Sequence, residues 1–228
     1  MSADDLRPMG YRWFHAVSMM FVASLLVANT IAVKVVTVFG LTLPAGIIVF
    51  PVAYIFGDVL TEVYGFRRAR SVIWWGFFCL AGMALLYWLA TLLPSADFWQ
   101  DQVAFERLFG FVPRIVFASF VAYLVGEFIN SAILSRLKVR TQGRYFWLRA
   151  ISSTIIGQGA DSVVFNLVAF LGVFPVRTVV FIAFSGWVLK SLYEVFALPL
   201  TYVVVARLKA GEGVDVYDSG ISYSPFKL

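Results

Sequence analysis

The feature that most constrains this chain is the recurrence of long apolar runs separated by short polar loops. A helix that crosses a bilayer needs about 20 mostly apolar residues. Six windows meet that requirement, at 13–33, 43–63, 71–93, 113–134, 150–171 and 178–206. They predict an all-α membrane protein built as a six-transmembrane-helix bundle. Only 14% of the residues are charged, against about 25% in soluble domains. A soluble core of this size would need a more polar exterior. The last window is long enough to tilt or to break near Pro199. Gly40, Pro44 and Gly46 interrupt the approach to the second window, and Pro51 lies inside it.

The net charge of +5 does not point to nucleic acid, because the basic residues sit in short loops between apolar runs. Thirteen of the 18 Lys and Arg fall in the N-terminal segment, the second-to-third loop, the fourth-to-fifth loop and the C-terminal segment; four fall on the other side and Lys190 lies within a window. Cytoplasmic loops carry such an excess, so both termini are expected in the cytoplasm. The first apolar stretch is too long for a signal-peptide core and reads as a membrane helix. The loop 94–112 carries Phe98, Trp99, Phe105, Leu108 and Phe109 among charged residues, the pattern of a short interfacial helix. Residues 1–210 read as one transport domain and 211–228 as a mobile cytoplasmic tail. Lone Cys79 reads as a buried structural thiol and His15 as interfacial.

Ionisable side chains inside spans are costly and face a cavity or a partner. The second window holds Asp58 and Glu62; the fourth, Glu127 and Asn130; the fifth, Gln158, Asp161 and Asn166; the sixth, Lys190 and Glu194. Asn29 and Lys34 lie toward the outer end of the first. Spacings of three or four place Asp58 with Glu62, Glu127 with Asn130, Gln158 with Asp161, and Lys190 with Glu194 on one face of their helix. Polar stripes on four helices can converge only inside a bundle. Glu127, Asp161 and Lys190 fall near mid-membrane depth. Each feature also has a structural alternative. Lys190–Glu194 can be an intrahelical ion pair, Glu62 can pair with Arg67 or Arg68, and Asn29 and Asn130 can hydrogen-bond across helices. No HExxH, GxSxG, P-loop or CxxC motif occurs, and the neighbours of Asp58 and Asp161 do not suit an aspartyl intramembrane protease. No cofactor or metal is called for.

The stretch FPVAYIFGDVLTEVYGFRRAR at 50–70, the Asn29-x4-Lys34 element, and Gly157-Gln158-Gly159-x-Asp161-Ser162 together resemble the queuosine precursor transporter family, also called the vitamin uptake transporter family. The resemblance covers nearly the whole chain. It implies uptake of 7-deazaguanine bases such as preQ0, preQ1 or queuine across the bacterial inner membrane. It also implies a fold related to the substrate-binding subunits of energy-coupling-factor vitamin transporters. A carboxylate can accept both N–H groups of a guanine-like edge, and ionisation strengthens those bonds. Glu127 or Asp161 is the expected reader of that edge, with Asn130, Gln158, Asn166, Asn29 and Lys190 as helpers. Tyr54, Phe165 and Tyr193 are candidates to stack on the ring. Asp58, Glu62, Lys34 and Glu194 are candidates for coupling or gating. The expected partners are a small 7-deazapurine substrate and membrane lipid, with homo-oligomerisation left open. Two other classes stay in contention: a binding subunit for an ATP-driven transporter, and a non-transport intramembrane enzyme.

Overall fold

The computed structural model describes residues 11–32, 34–38, 41–109, 112–172 and 175–224. These form seven α-helices: α1 (Phe14–Ile31), α2 (Phe50–Tyr64), α3 (Phe66–Thr91), α4 (Gln102–Phe109), α5 (Val112–Arg140), α6 (Phe146–Phe170) and α7 (Val176–Glu212). A two-stranded antiparallel hairpin, β1 (Val35–Val38) with β2 (Leu41–Pro44), follows α1, and a 3₁₀ turn at Ala45–Ile48 leads into α2.

Four stretches among the described residues are long and apolar enough to cross a membrane: α1, α3, Val116–Arg140 of α5, and α7. Their outward side chains include Phe78, Leu86, Phe117 and Phe196, each more than 60% exposed. That surface suits lipid rather than water. The short helix expected in the 94–112 loop is α4, where Phe105 packs against Trp99 and Phe109.

The window at 43–63 does not form one spanning helix. Pro44 closes the hairpin, the 3₁₀ turn follows, and Pro51 stands in the first turn of α2 rather than inside it. Proline is tolerated there because its missing N–H has no helical partner in any case. At 15 residues, α2 rises about 22 Å, short of the roughly 30 Å of hydrocarbon. It is a buried axial helix, packed against α1, α3, α5 and α7. The hairpin pairs its own backbone groups, the condition for non-helical chain inside a membrane protein. Gly46 allows this segment to lie against α1, since a Cβ there would come within 2.7 Å of the Ala28 carbonyl oxygen.

α6 is long enough to span, but its polarity is reversed. Its buried face is Arg149, Ser153, Thr154, Gly157, Gln158, Asp161, Ser162 and Asn166, while Ile156, Val163 and Leu167 face outward. Of the two alternatives for the last window, tilt or break, the break does not occur: α7 runs unbroken through Pro199. α5 and α6 share the most extensive helix–helix interface. They cross at Gly126 and Gly157, where a Cβ on either would sit 2.9 Å from the other's carbonyl oxygen. Close approach through small residues is the usual solution in lipid, where burial of apolar surface gives no drive for association.

Both described ends of the chain lie at one end of the bundle. The backbone N–H groups of Arg12 and Trp13 donate to the Glu212 carboxylate at the end of α7. Beyond α7, Asp218 is buried and accepts from the Phe66 backbone N–H at 2.8 Å and from the Ser135 hydroxyl. It thereby caps α3 from a distant part of the sequence. Arg70 donates to the Ser222 and Ser224 carbonyls, and Tyr223 packs on Phe66.

Candidate functional site

Two polar layers are stacked along α2. Asp58 and Glu62 lie one helical turn apart, about 6 Å along the axis, and each gathers partners from other helices.

The inner layer surrounds Asp58. Asn130 on α5 donates through Nδ2 to Asp58 Oδ1 at 2.6 Å. Glu127, one turn earlier on α5, lies over Gly57, where any Cβ would collide with its carboxylate. Ser131 donates to Glu127 at 3.3 Å and receives a hydrogen bond from Thr61 at 3.1 Å. Glu194 on α7 lies close enough to Asp58 for the two carboxyls to interact electrostatically. The adjoining Gly126 brings α6 in, because a Cβ there would lie 2.7 Å from the Asp161 Cβ and 3.2 Å from the Tyr54 hydroxyl. Asp161 is paired with Lys190 on α7 at 2.6 Å, and the Lys190 ammonium lies 5.2 Å from the centre of the Phe50 ring. Tyr54 and Tyr123 pack edge to face at 5.9 Å.

The residues at the centre are sheltered: Tyr54, Asp58, Glu127 and Asn130 are 0% exposed. Buried polar atoms are normally hydrogen-bonded. Yet Asp58 Oδ2, Glu127 Oε2, Asn130 Oδ1, Gln158 Oε1, Glu194 Oε2 and the hydroxyls of Tyr54 and Tyr123 have no hydrogen-bond partner among the described residues. Four carboxyl groups share this layer with a single ammonium, Lys190. The arrangement can bind a polar molecule that supplies donors and offsets negative charge.

The second layer surrounds Glu62. Arg149 of α6 grips its carboxylate through both terminal nitrogens, the longer contact at 3.1 Å. Lys209 of α7 adds a bond at 2.6 Å, and Lys138 of α5 approaches to 3.7 Å. Lys138 also holds the Glu62 carbonyl, the Asp215 carboxylate at 2.6 Å and the Val216 carbonyl at 2.7 Å. Lys209 reaches Asp215 at 2.9 Å. For Asp215, partial burial alone would raise the carboxyl's pKa, but hydrogen bonds and charge from Lys138 and Lys209 outweigh it and hold the group below the usual range.

The structure brings together Tyr54, Asp58, Glu127, Asn130, Asp161, Lys190 and Glu194. Gln158 is buried on the same face of α6. Asn166 lies further along that helix and donates to its own helix at Ser162. Asn29 bonds to the Leu25 carbonyl of its own helix rather than across to another. Lys34 is exposed beside the hairpin, Phe165 contacts Phe170, and Tyr193 is 43% exposed on the outer surface. Two alternative pairings are replaced. Lys190 pairs with Asp161 and not with Glu194, and Glu62 pairs with Arg149, Lys209 and Lys138 and not with Arg67 or Arg68. Cys79 is half-buried, beside a groove between α1 and α3.

Sequence reasoning missed Tyr123 and the cations of the second layer. Lys138 and Arg149 were legible only as loop charges. The signal was the continuation of one α5 stripe through Glu127, Ser131, Ser135 and Lys138, at helical spacing.

Residues 44–204 match the profile of a protein family described as a putative vitamin uptake transporter. That span contains every residue of the inner layer. Among curated proteins, the chain is 32% identical over 176 residues to a probable queuosine precursor transporter of Bacillus subtilis (strain 168), covering 77% of each chain. It is 29% identical over 135 residues to a queuosine precursor transporter of Escherichia coli (strain K12), 59% of this chain and 58% of that one. It is 29% identical over 125 residues to a probable queuosine precursor transporter of Haemophilus influenzae, 55% of this chain and 51% of that one. No solved structure matches the chain.

Proposed function

The chain belongs to the putative vitamin uptake transporter family, and from that premise we propose that it imports a 7-deazaguanine queuosine precursor across the bacterial inner membrane as a secondary carrier. The observation that carries this reading is the convergence of Asp58, Glu127, Asp161 and Lys190 from four helices, with the three carboxyls buried in the protein interior. Unpartnered acceptors and hydroxyls beside them mark a place for a polar ligand. In this reading Glu127 and Asp161 accept the N–H groups of the guanine-like edge, the bare amide oxygens of Asn130 and Gln158 accept further N–H groups of the base, and Tyr54 provides an aromatic face. The end of the bundle holding both chain ends is the cytoplasmic one, by the distribution of Lys and Arg. The Glu62 layer then stands between the inner layer and the cytoplasm as a gate.

The test is uptake of a labelled deazaguanine by the purified chain alone in proteoliposomes. Accumulation above empty liposomes without ATP is expected. Uptake only with ATP and an added partner would favour a binding subunit, and recovery of a chemically altered product would favour an enzyme. Asp161→Asn and Glu127→Gln are each expected to weaken binding at least tenfold, about 1.4 kcal/mol. Unchanged affinity in both folded variants would remove these carboxylates from the site.

A further inference from the structure

Residues 214–224 form neither helix nor strand, yet they are fastened across the end of the bundle that holds the Glu62 layer. Asp215 accepts from Lys138 of α5 at 2.6 Å and from Lys209 of α7 at 2.9 Å. Asp218 accepts from the Phe66 backbone N–H at the start of α3 and from Ser135 of α5. Arg70 of α3 donates to the Ser224 carbonyl at 2.8 Å, and the Arg136 guanidinium lies 4.6 Å from the centre of the Tyr223 ring. Two turn glycines make room for the segment. A Cβ on Gly65, between α2 and α3, would come within 2.7 Å of the Val216 side chain, and one on Gly143, between α5 and α6, within 2.2 Å of the Tyr217 hydroxyl.

Two of these contacts fall on cations of the Glu62 layer itself. A lysine ammonium has three N–H donors. Lys138 spends one on the Glu62 carbonyl and two on this segment, at the Asp215 carboxylate and at the Val216 carbonyl, 2.7 Å away. The ammonium also lies 4.9 Å from the centre of the Tyr217 ring. Lys209 is shared in the same way, between Glu62 at 2.6 Å and Asp215. Two cations that close the layer are therefore tethered to the segment lying over it. The fastening is largely polar, and Asp215, Tyr217 and Ser219 are open to water. Ion pairs with such access are weak one by one, and segments held by them open locally well before helices part.

We propose that residues 214–224 are a latch on the gate at the Glu62 layer: fastened, they hold α3, α5 and α7 together, and their release lets that end of the bundle part. When Asp215 and Val216 withdraw, Lys138 loses two of its three acceptors and Lys209 loses one of its two carboxylates. Both ammonium groups can then turn to water, and Arg149 is left as the close partner of Glu62. Release thus lowers the cost of opening without disturbing the inner layer. That the latched end is a gate rests on the transport reading; the latch itself is measured without substrate.

The experiment uses the full chain in a Cys79→Ser background with Ser153→Cys as a reporter. Ser153 is buried one turn beyond Arg149 on the inward face of α6. In inverted vesicles, the rate at which a water-soluble maleimide modifies it follows the population in which the layer is open. Adding Asp215→Asn together with Asp218→Asn is expected to raise that rate about tenfold. A second reporter, Ser119→Cys, is buried near the far end of α5 and is expected to react at the same rate with or without the two Asp substitutions. An unchanged rate at Ser153→Cys would overturn the latch. Equal acceleration at both reporters would overturn it too, since the segment would then be a brace for the whole fold. Failure of the unsubstituted chain to take up a deazaguanine would sink the carrier reading and leave both labelling rates to be judged on their own.

Discussion

Asp58 and Glu62 are both carboxylates, four residues apart on one buried helix, and they meet opposite environments. Glu62 is surrounded by Arg149, Lys209 and Lys138, whereas Asp58 meets an amide and another carboxyl. The sequence marks both as functional through their cost in hydrocarbon. It does not distinguish them, because the partners come from helices 72 to 147 positions away. Lys190 illustrates the same limit: its neighbour at four residues was the obvious local partner, and tertiary packing supplied Asp161 instead. The glycines are the sharper signal at this scale. Gly126→Ala would set a Cβ 2.7 Å from the Asp161 Cβ. We expect it to cost about 1–3 kcal/mol through overpacking and to displace Asp161, seen as a lower melting temperature with weakened ligand binding. Gly82, with nothing within 4 Å of its Cβ position, supplies the control: Gly82→Ala is expected to leave both unchanged.

Among the elements, long apolar helices were the most legible and α2 the least. A 20-residue window counts hydropathy but not chain direction, so a hairpin, a 3₁₀ turn and a short helix read together as one span. Pro44, Gly46 and Pro51 announced the interruption without giving its form. α6 was legible by its length and by Gln158 and Asp161, and its reversed polarity follows from a buried face made largely of small and polar residues. The composition after α7 predicts a mobile tail; in the structure its Asp218 caps α3, and its Asp215 sits between two lysines. Asp218→Ala is expected to lose about 1–2 kcal/mol, as for other helix caps, and to speed proteolysis of residues 213–224. For Asp215 the sign follows from its lowered pKa. Its contribution is complete above the unfolded value near 3.8, persists through neutral pH, and is lost as pH falls through the folded value. Release of this segment on acidification is therefore expected only below the ordinary carboxylate range, and proteolysis across a pH series would register it.

At the scale of the whole molecule, the charge distribution and the placement of both chain ends make one prediction. In a Cys79→Ser background, Ser219→Cys is expected to react with an impermeant maleimide only in inverted vesicles, and Phe98→Cys, 89% exposed at the opposite end, in intact cells. The reverse pattern would invert the assignment of sides. The bundle itself was legible because hydrocarbon permits so few solutions for buried polar groups. The pairing of those groups was not, because many arrangements of four stripes satisfy the same spacing. Glu62 adds a consequence for movement. One carboxylate receives cations from α5, α6 and α7, and two of those cations, Lys138 and Lys209, also clasp Asp215. No single helix can swing away from that knot without exposing a bare charge on the others, so that end of the protein should behave as a toggle, with the helices parting together or staying shut.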